Sequence, residues 1–109
     1  MAWLVTDGRV LASADVLTSL PQRARGLLGR SGVDGAVVIE RCHWIHTIGM
    51  RFAIDVAYLD REGTVIRLST VRPNRIPGPV PRSKRVVEAE AGAFARWGLH
   101  VGDRVEIRD

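Results

Sequence analysis

A chain of 109 residues is enough for one compact domain and not for two. Its 46% hydrophobic and 26% charged residues exclude a disordered chain, and 16 basic against 12 acidic residues leave only +4, a modest excess for a small domain. The single cysteine excludes an internal disulfide framework and any four-cysteine metal site, and no apolar run approaches the roughly 20 residues that cross a bilayer.

In chain order, two short apolar stretches at 2–5 and 10–14 flank Asp7-Gly8, a strong turn pair, and predict a hairpin. The period then changes. Leu20, Ala24, Leu27 and Leu28 form a one-face stripe, Ser19 and Gln22 have capping-box spacing, and a short helix is predicted over 19–29. Residues 35–40 (GAVVIE) read as a strand rich in β-branched side chains. Residues 41–52 follow neither period and hold Cys42, His43, Trp44, His46, Gly49 and Met50.

Residues 53–59 alternate, with Ile54, Val56 and Tyr58 on one face and Ala53, Asp55, Ala57 and Leu59 on the other. The turn DREG at 60–63 leads into a second strand at 64–71, which completes a hairpin. Four of the five prolines fall within 72–82, an irregular loop, because proline removes ladder donors and restricts the residue before it. A strand at 85–91, a helical turn within 92–99 and a last strand around Val105 and Ile107 complete the chain. About seven short strands with one or two short helices predict a mainly β domain over 1–109, a small β-sandwich or distorted barrel. The expected core is Leu4, Val10, Leu20, Leu27, Val37, Ile39, Ile54, Val56, Ile66, Leu68, Val87, Val105 and Ile107, with one or more of Trp3, Trp44 and Trp97.

Several constellations could carry chemistry. Cys42, His46 and Met50 have the C-x3-H-x3-M spacing of soft copper ligands, but no histidine precedes Cys42 to complete such a site, so neither a metal nor another cofactor is expected. A thiol enzyme or small hydrolase would need Cys42 beside His46, with Asp55 orienting the imidazole. Asp55 interrupts an otherwise apolar face and needs hydrogen-bond donors, expected from the backbone of 46–51, from Thr47 or from His46. Arg72, Arg75, Arg82, Lys84 and Arg85 form a basic run without an acidic residue, while Arg23, Arg25 and Arg30 make a second group. Only six aromatics are present and they do not interleave with these bases, so nucleic-acid binding is expected to be weak at most.

The order Arg25-Gly26-Leu27-Leu28, then Trp44-Ile45-His46-Thr47-x-Gly49-Met50-x-Phe52-x-Ile54-Asp55-Val56-x-Tyr58-x-Asp60-x-x-Gly63-x-Val65, resembles the uncharacterised family DUF192. Val86-Val87-Glu88-Ala89-x-Ala91-Gly92 and Gly98-Leu99-x-x-Gly102-Asp103-x-Val105 extend the resemblance over about residues 11–107. It implies a small β-rich domain, barrel- or sandwich-like, with no activity attached. Many members have Asn where this chain has His46, a replacement that suits a hydrogen-bonding pivot better than a catalytic base. Some members carry a secretion signal; its absence here points to the cytoplasm, with no membrane association.

Three functional readings follow. The first is a non-enzymatic binding or accessory domain using His46, Thr47, Met50, Arg51, Asp55, Arg72 and Arg75 to take a small anionic ligand or a protein segment. The second is the enzyme built on Cys42, His46 and Asp55. The third is weak binding of an anionic polymer through 72–85. Against all of them stands a polar network that only holds the fold.

Overall fold

The computed structural model describes residues 2–18 and 35–109. The expected helix over 19–29, with Arg23, Arg25, Arg30 and the core candidates Leu20 and Leu27, lies outside the described residues. Strands β1 (Ala2–Thr6), β2 (Arg9–Leu17), β3 (Ala36–Glu40), β4 (Ile54–Leu59), β5 (Val65–Val71), β6 (Arg85–Glu90) and β7 (Glu106–Arg108) form one sheet in the order β5-β4-β6-β3-β2-β1-β7. A short helix, α1 (Ala93–Trp97), follows β6. The mainly β reading therefore holds, as a curled half-barrel sheet with one helix among the described residues.

The sheet is stapled end to end. Val65 N–H donates to Asp103 O, Gly102 N–H to Val65 O and Val105 N–H to Gly63 O, at 2.8–2.9 Å, and Thr64 bridges Arg104. The start of β5 thereby pairs with the segment that leads into β7, which closes one end of the curl and covers part of two edges.

Both faces are apolar because alternation delivers a buried residue to each. Leu4, Val38, Ala57, Leu59, Val65, Val87, Ala89 and Val105 pack with Phe94 and Leu99 on one face. Val37, Ile39, Ile54, Val56, Tyr58 and Val86 pack on the other, beneath Ile45 and Met50. β4 is buried at every position, as a strand between two packed layers must be.

Two expectations change. β2 runs past residue 14 to Leu17, since Ala14–Leu17 pair in parallel with Ala36–Ile39, a partner that local pattern does not reveal. Val10, expected in the core, is 58% exposed. Its partner is Val5 while Leu4 pairs with Ala12, so Leu11 is an extra residue that reverses the alternation. Trp3 and Trp44 are exposed as well, while Trp97 packs partly buried with its ring centroid 5.4 Å from that of Phe94.

The staple depends on Gly63, whose φ is +86° and whose added Cβ would lie 2.6 Å from Val105 O. Gly8 also has a positive φ (+73°), but it faces open space. Gly63→Ala should therefore cost about 3 kcal/mol in urea denaturation and Gly8→Ala about 1 kcal/mol. Equal losses would show that the close approach at Val105 contributes nothing.

Candidate functional site

The carboxylate that interrupts β4 is 5% exposed, and both of its oxygens are used. Asp55 Oδ1 accepts from Thr70 Oγ1–H at 2.8 Å, while Oδ2 accepts from the N–H groups of Gly92 (3.0 Å) and Phe94 (3.1 Å). These donors belong to β5 and to the start of α1, not to the 46–51 loop as expected. The reason is parity. Ile54 and Val56 face Ile45 and Met50, so Asp55 must point through the opposite face, where α1 packs. Gly92 supplies α1 with no side-chain cap, and Asp55 does so from a neighbouring strand.

The 41–53 loop and the proline-rich loop do meet, as the binding reading requires, and Thr47 joins them. Its side chain is fully buried, and Oγ1 donates to Arg72 O at 2.6 Å and accepts from Arg75 N–H at 2.9 Å. Its backbone donates to Arg75 O and accepts from Asn74 N–H and Met50 N–H. Asn74 Oδ1 accepts from Gly49 N–H, Trp44 Nε1–H donates to Pro77 O, and Val80 N–H donates to His43 O. Ser83 Oγ lies 2.9 Å from Cys42 O and 3.0 Å from Arg85 O, tying the far end. Two segments without strand or helix periodicity are thus ordered by bonding to each other.

The remaining candidates are spread around this junction. Cys42 Sγ–H donates to Trp44 O at 3.3 Å, and His46 is exposed with Nδ1 accepting from Ile48 N–H at 3.2 Å. With Asp55 on the opposite face, Cys42, His46 and Asp55 are not brought together. Met50 is buried in the apolar cluster under the loop, and Arg51 is exposed. Among the described residues, no group of three or more His, Cys, Asp or Glu side chains could hold a metal ion.

Arg72 and Arg75 are exposed beside a cleft of about 410 Å³ lined by Ser69, Thr70, Val71, Arg72, Arg75, Ile76 and Pro77. Arg75 Nη1 reaches only its own turn, at Pro73 O and Asn74 O, and among the described residues neither guanidinium meets a carboxylate. Arg85, from the same basic run, is engaged differently: its Nε lies 2.9 Å from the Glu40 carboxylate across the β3–β6 pair. Toward α1, a second cleft of about 410 Å³ is lined by Asp55, Leu68, Phe94, Leu99 and His100 and shares Ser69 and Thr70 with the first.

Tyr58 lies in the cluster beneath the loops. Burial pushes its phenol above the ordinary value of 10.0, Cys42 and Glu88 push the same way as negative neighbours, and the Arg67 guanidinium opposes them.

Sequence reasoning missed Thr70, Gly92 and Phe94 as partners of Asp55, although the parity of β4 already separates Asp55 from the loop. It missed Asn74 and Ser83 because nothing local marks a polar residue that bonds 25 or 41 positions away.

A profile of DUF192, described as "Uncharacterized ACR", matches residues 1–107. A UPF0127 protein of Pyrococcus abyssi is 42% identical over 62 residues, and a UPF0127 protein of Pyrococcus furiosus is 36% identical over 62. Each match covers 57% of this chain and 53% of the relative, so the chain spans about half the length of the curated relatives it matches. A Novosphingobium aromaticivorans protein of unknown function superimposes with a TM-score of 0.80 at 17% identity, covering 96% of this chain and 82% of that one. A Sinorhizobium meliloti protein described as a "putative transcription regulator" does so with 0.82 at 22% identity, covering 96% and 90%. At such identities these structures share the fold alone. No helix among the described residues is long and apolar enough to cross a membrane.

Two measurements follow from this geometry. Asp55→Ala leaves the N–H groups of Gly92 and Phe94 and the Thr70 hydroxyl without an acceptor and should cost about 2–4 kcal/mol in urea melts, with Asp55→Asn losing clearly less. A midpoint at or above the parent's for the alanine variant would refute the anchoring role. The chain has one tyrosine, so absorbance at 295 nm reports Tyr58 alone, and its midpoint in the folded protein should lie above 10.0. The fold then holds the phenolic proton more tightly than the unfolded chain does. Its stability contribution is whole below pH 10.0 and is lost as pH rises through the folded value, a limb that Tyr58→Phe should remove.

Proposed function

The chain belongs to the DUF192 family, described only as uncharacterised, and we propose that it works as a binding module with no reaction of its own, taking an anionic group at the junction of its two loops. The observation that carries this reading is the Thr47 tie. One buried hydroxyl bonds the backbone of both Arg72 and Arg75, so two guanidiniums without a carboxylate partner among the described residues are carried on a fixed turn beside a cleft. Arginine on an ordered frame binds carboxylate or phosphate at less entropic cost than on a loose loop.

The surroundings suit a macromolecular partner. Trp44, Ile48 and Ile76 are large exposed hydrophobic residues on the same interlocked loops, and such side chains with arginine are the usual content of contact surfaces. Of the residues expected to bind, Arg72 and Arg75 hold the ligand here, Thr47 positions them, His46 and Arg51 stand exposed on the adjoining loop, and Met50 and Asp55 serve the fold. The compartment in this reading is the cytoplasm, where the Cys42 thiol stays reduced.

Amide NMR titration with inorganic phosphate and with acetylated, amidated tetraglutamate tests it. Saturable shifts should centre on residues 70–77, weaken with salt and fall at least ~10-fold in apparent affinity in the double variant Arg72→Glu/Arg75→Glu, with the melting temperature kept. Shifts centred instead on Arg82 to Arg85, or none with either probe, would overturn the proposal.

A further inference from the structure

β5 ends the strand order and pairs only with β4 beyond its stapled first residues, so its outer edge from Leu68 onward has no partner among the described residues. Which backbone groups face outward follows from β4. Ala53 O accepts from Ala91 N–H and Leu59 O from Lys84 N–H, so the odd-numbered residues of β4 turn their backbone groups toward β6 and the even ones toward β5. Through the pairs Ile54–Val71, Val56–Ser69 and Tyr58–Arg67, the groups of Arg67, Ser69 and Val71 are taken by β4. Those of Leu68 and Thr70 point outward.

The two clefts flank this open edge and meet across it, since Ser69 and Thr70 line both. Leu68 and Thr70 share the face of Phe94 and Leu99, where the lining is mainly apolar. Ser69 and Val71 share the opposite face with Arg72 and Arg75. A strand laid along the edge would place successive side chains alternately in these two clefts.

Resting on the reading of Arg72 and Arg75 as an anion-binding pair, we infer that β5 is a docking edge to which an extended peptide segment of a partner protein adds as a further strand. The segment carries an apolar residue and an acidic residue at adjacent positions. The backbone groups of Leu68 and Thr70 recognise the peptide backbone, the cleft at Phe94 and Leu99 takes the apolar side chain, and the arginines take the carboxylate. Charge complementarity selects this occupant over a second copy of the chain. Two β5 edges paired antiparallel about Ser69 would bring Arg67 of each copy beside Arg72 of the other, a repulsion that edge strands use to avoid self-pairing.

Selection from a random dodecapeptide library displayed on phage, followed by amide hydrogen exchange with the synthesised winner, tests the inference. Enriched peptides should carry an apolar and an acidic residue side by side, and binding should slow exchange at Leu68 and Thr70 at least ~10-fold. Moving the acidic residue one position further, onto the same face as the apolar one, or N-methylating the peptide amide that faces β5, should weaken binding at least ~10-fold. The double variant Arg72→Glu/Arg75→Glu should select a basic residue at the same spacing. Bound peptide or tetraglutamate that shifts residues 70–77 without protecting Leu68 and Thr70 would overturn strand addition and leave the anion site standing. No shift with any anionic probe would remove both. Failure to enrich any peptide, or concentration-dependent dimers that bury β5, would overturn the inference.

Discussion

One carboxylate holds three parts of the structure in register. Asp55 sits near the start of β4, the strand between the two packed layers, and bonds β5 through Thr70 and α1 through Gly92 and Phe94. Without it, α1 would have two N–H groups near its start facing an apolar layer, and Phe94 would lose an anchor that holds it in the cluster of that face. A charged acceptor is worth more here than a neutral one, because three donors converge on it from two elements. The open edge of β5 is consequently held at a fixed distance from Phe94 and Leu99, which line the cleft beside it.

The opposite face depends on a different kind of bonding. Residues 41–53 and 72–84 supply no ladder of their own, so their backbone groups find one another and a few side chains. Thr47 is the densest of these meeting points, and its hydroxyl acts as donor to one arginine's carbonyl and acceptor from the other's amide. Loops ordered this way can be both irregular and rigid, a combination that suits side chains presented for binding.

Most of the fold was legible because it rests on local rules. Asp7-Gly8, DREG at 60–63 and the alternation of 53–59 locate the hairpins, and the prolines mark the long loop. The tail of β2 was not legible, since Asp15 and Val16 become strand only by pairing with β3. Val10 misled because Leu11 inserts an extra residue and flips its face. At the site, the meeting of the two loops and the importance of Asp55 could be read, but the partners of Asp55 could not be named. A carboxylate in a strand announces that donors must exist, and only tertiary structure says that they come from a helix start 37 and 39 residues away.

The staple between Gly63 and Val105 also bears on the order in which the protein can be completed. β1 lies between β2 and β7 in the sheet, and β5 is tied to residues 102–105. During synthesis on the ribosome, β1 can pair with β2 early, but its other edge waits for β7, the latest of these seven strands in chain order. Until then the half-formed sheet has a bare edge at β1, and β5 is open at its first residues as well as from Leu68 onward. The interval before residues 102–108 emerge is therefore when a nascent chain is most open to wrong pairing, and a chaperone that covers strand edges would act there.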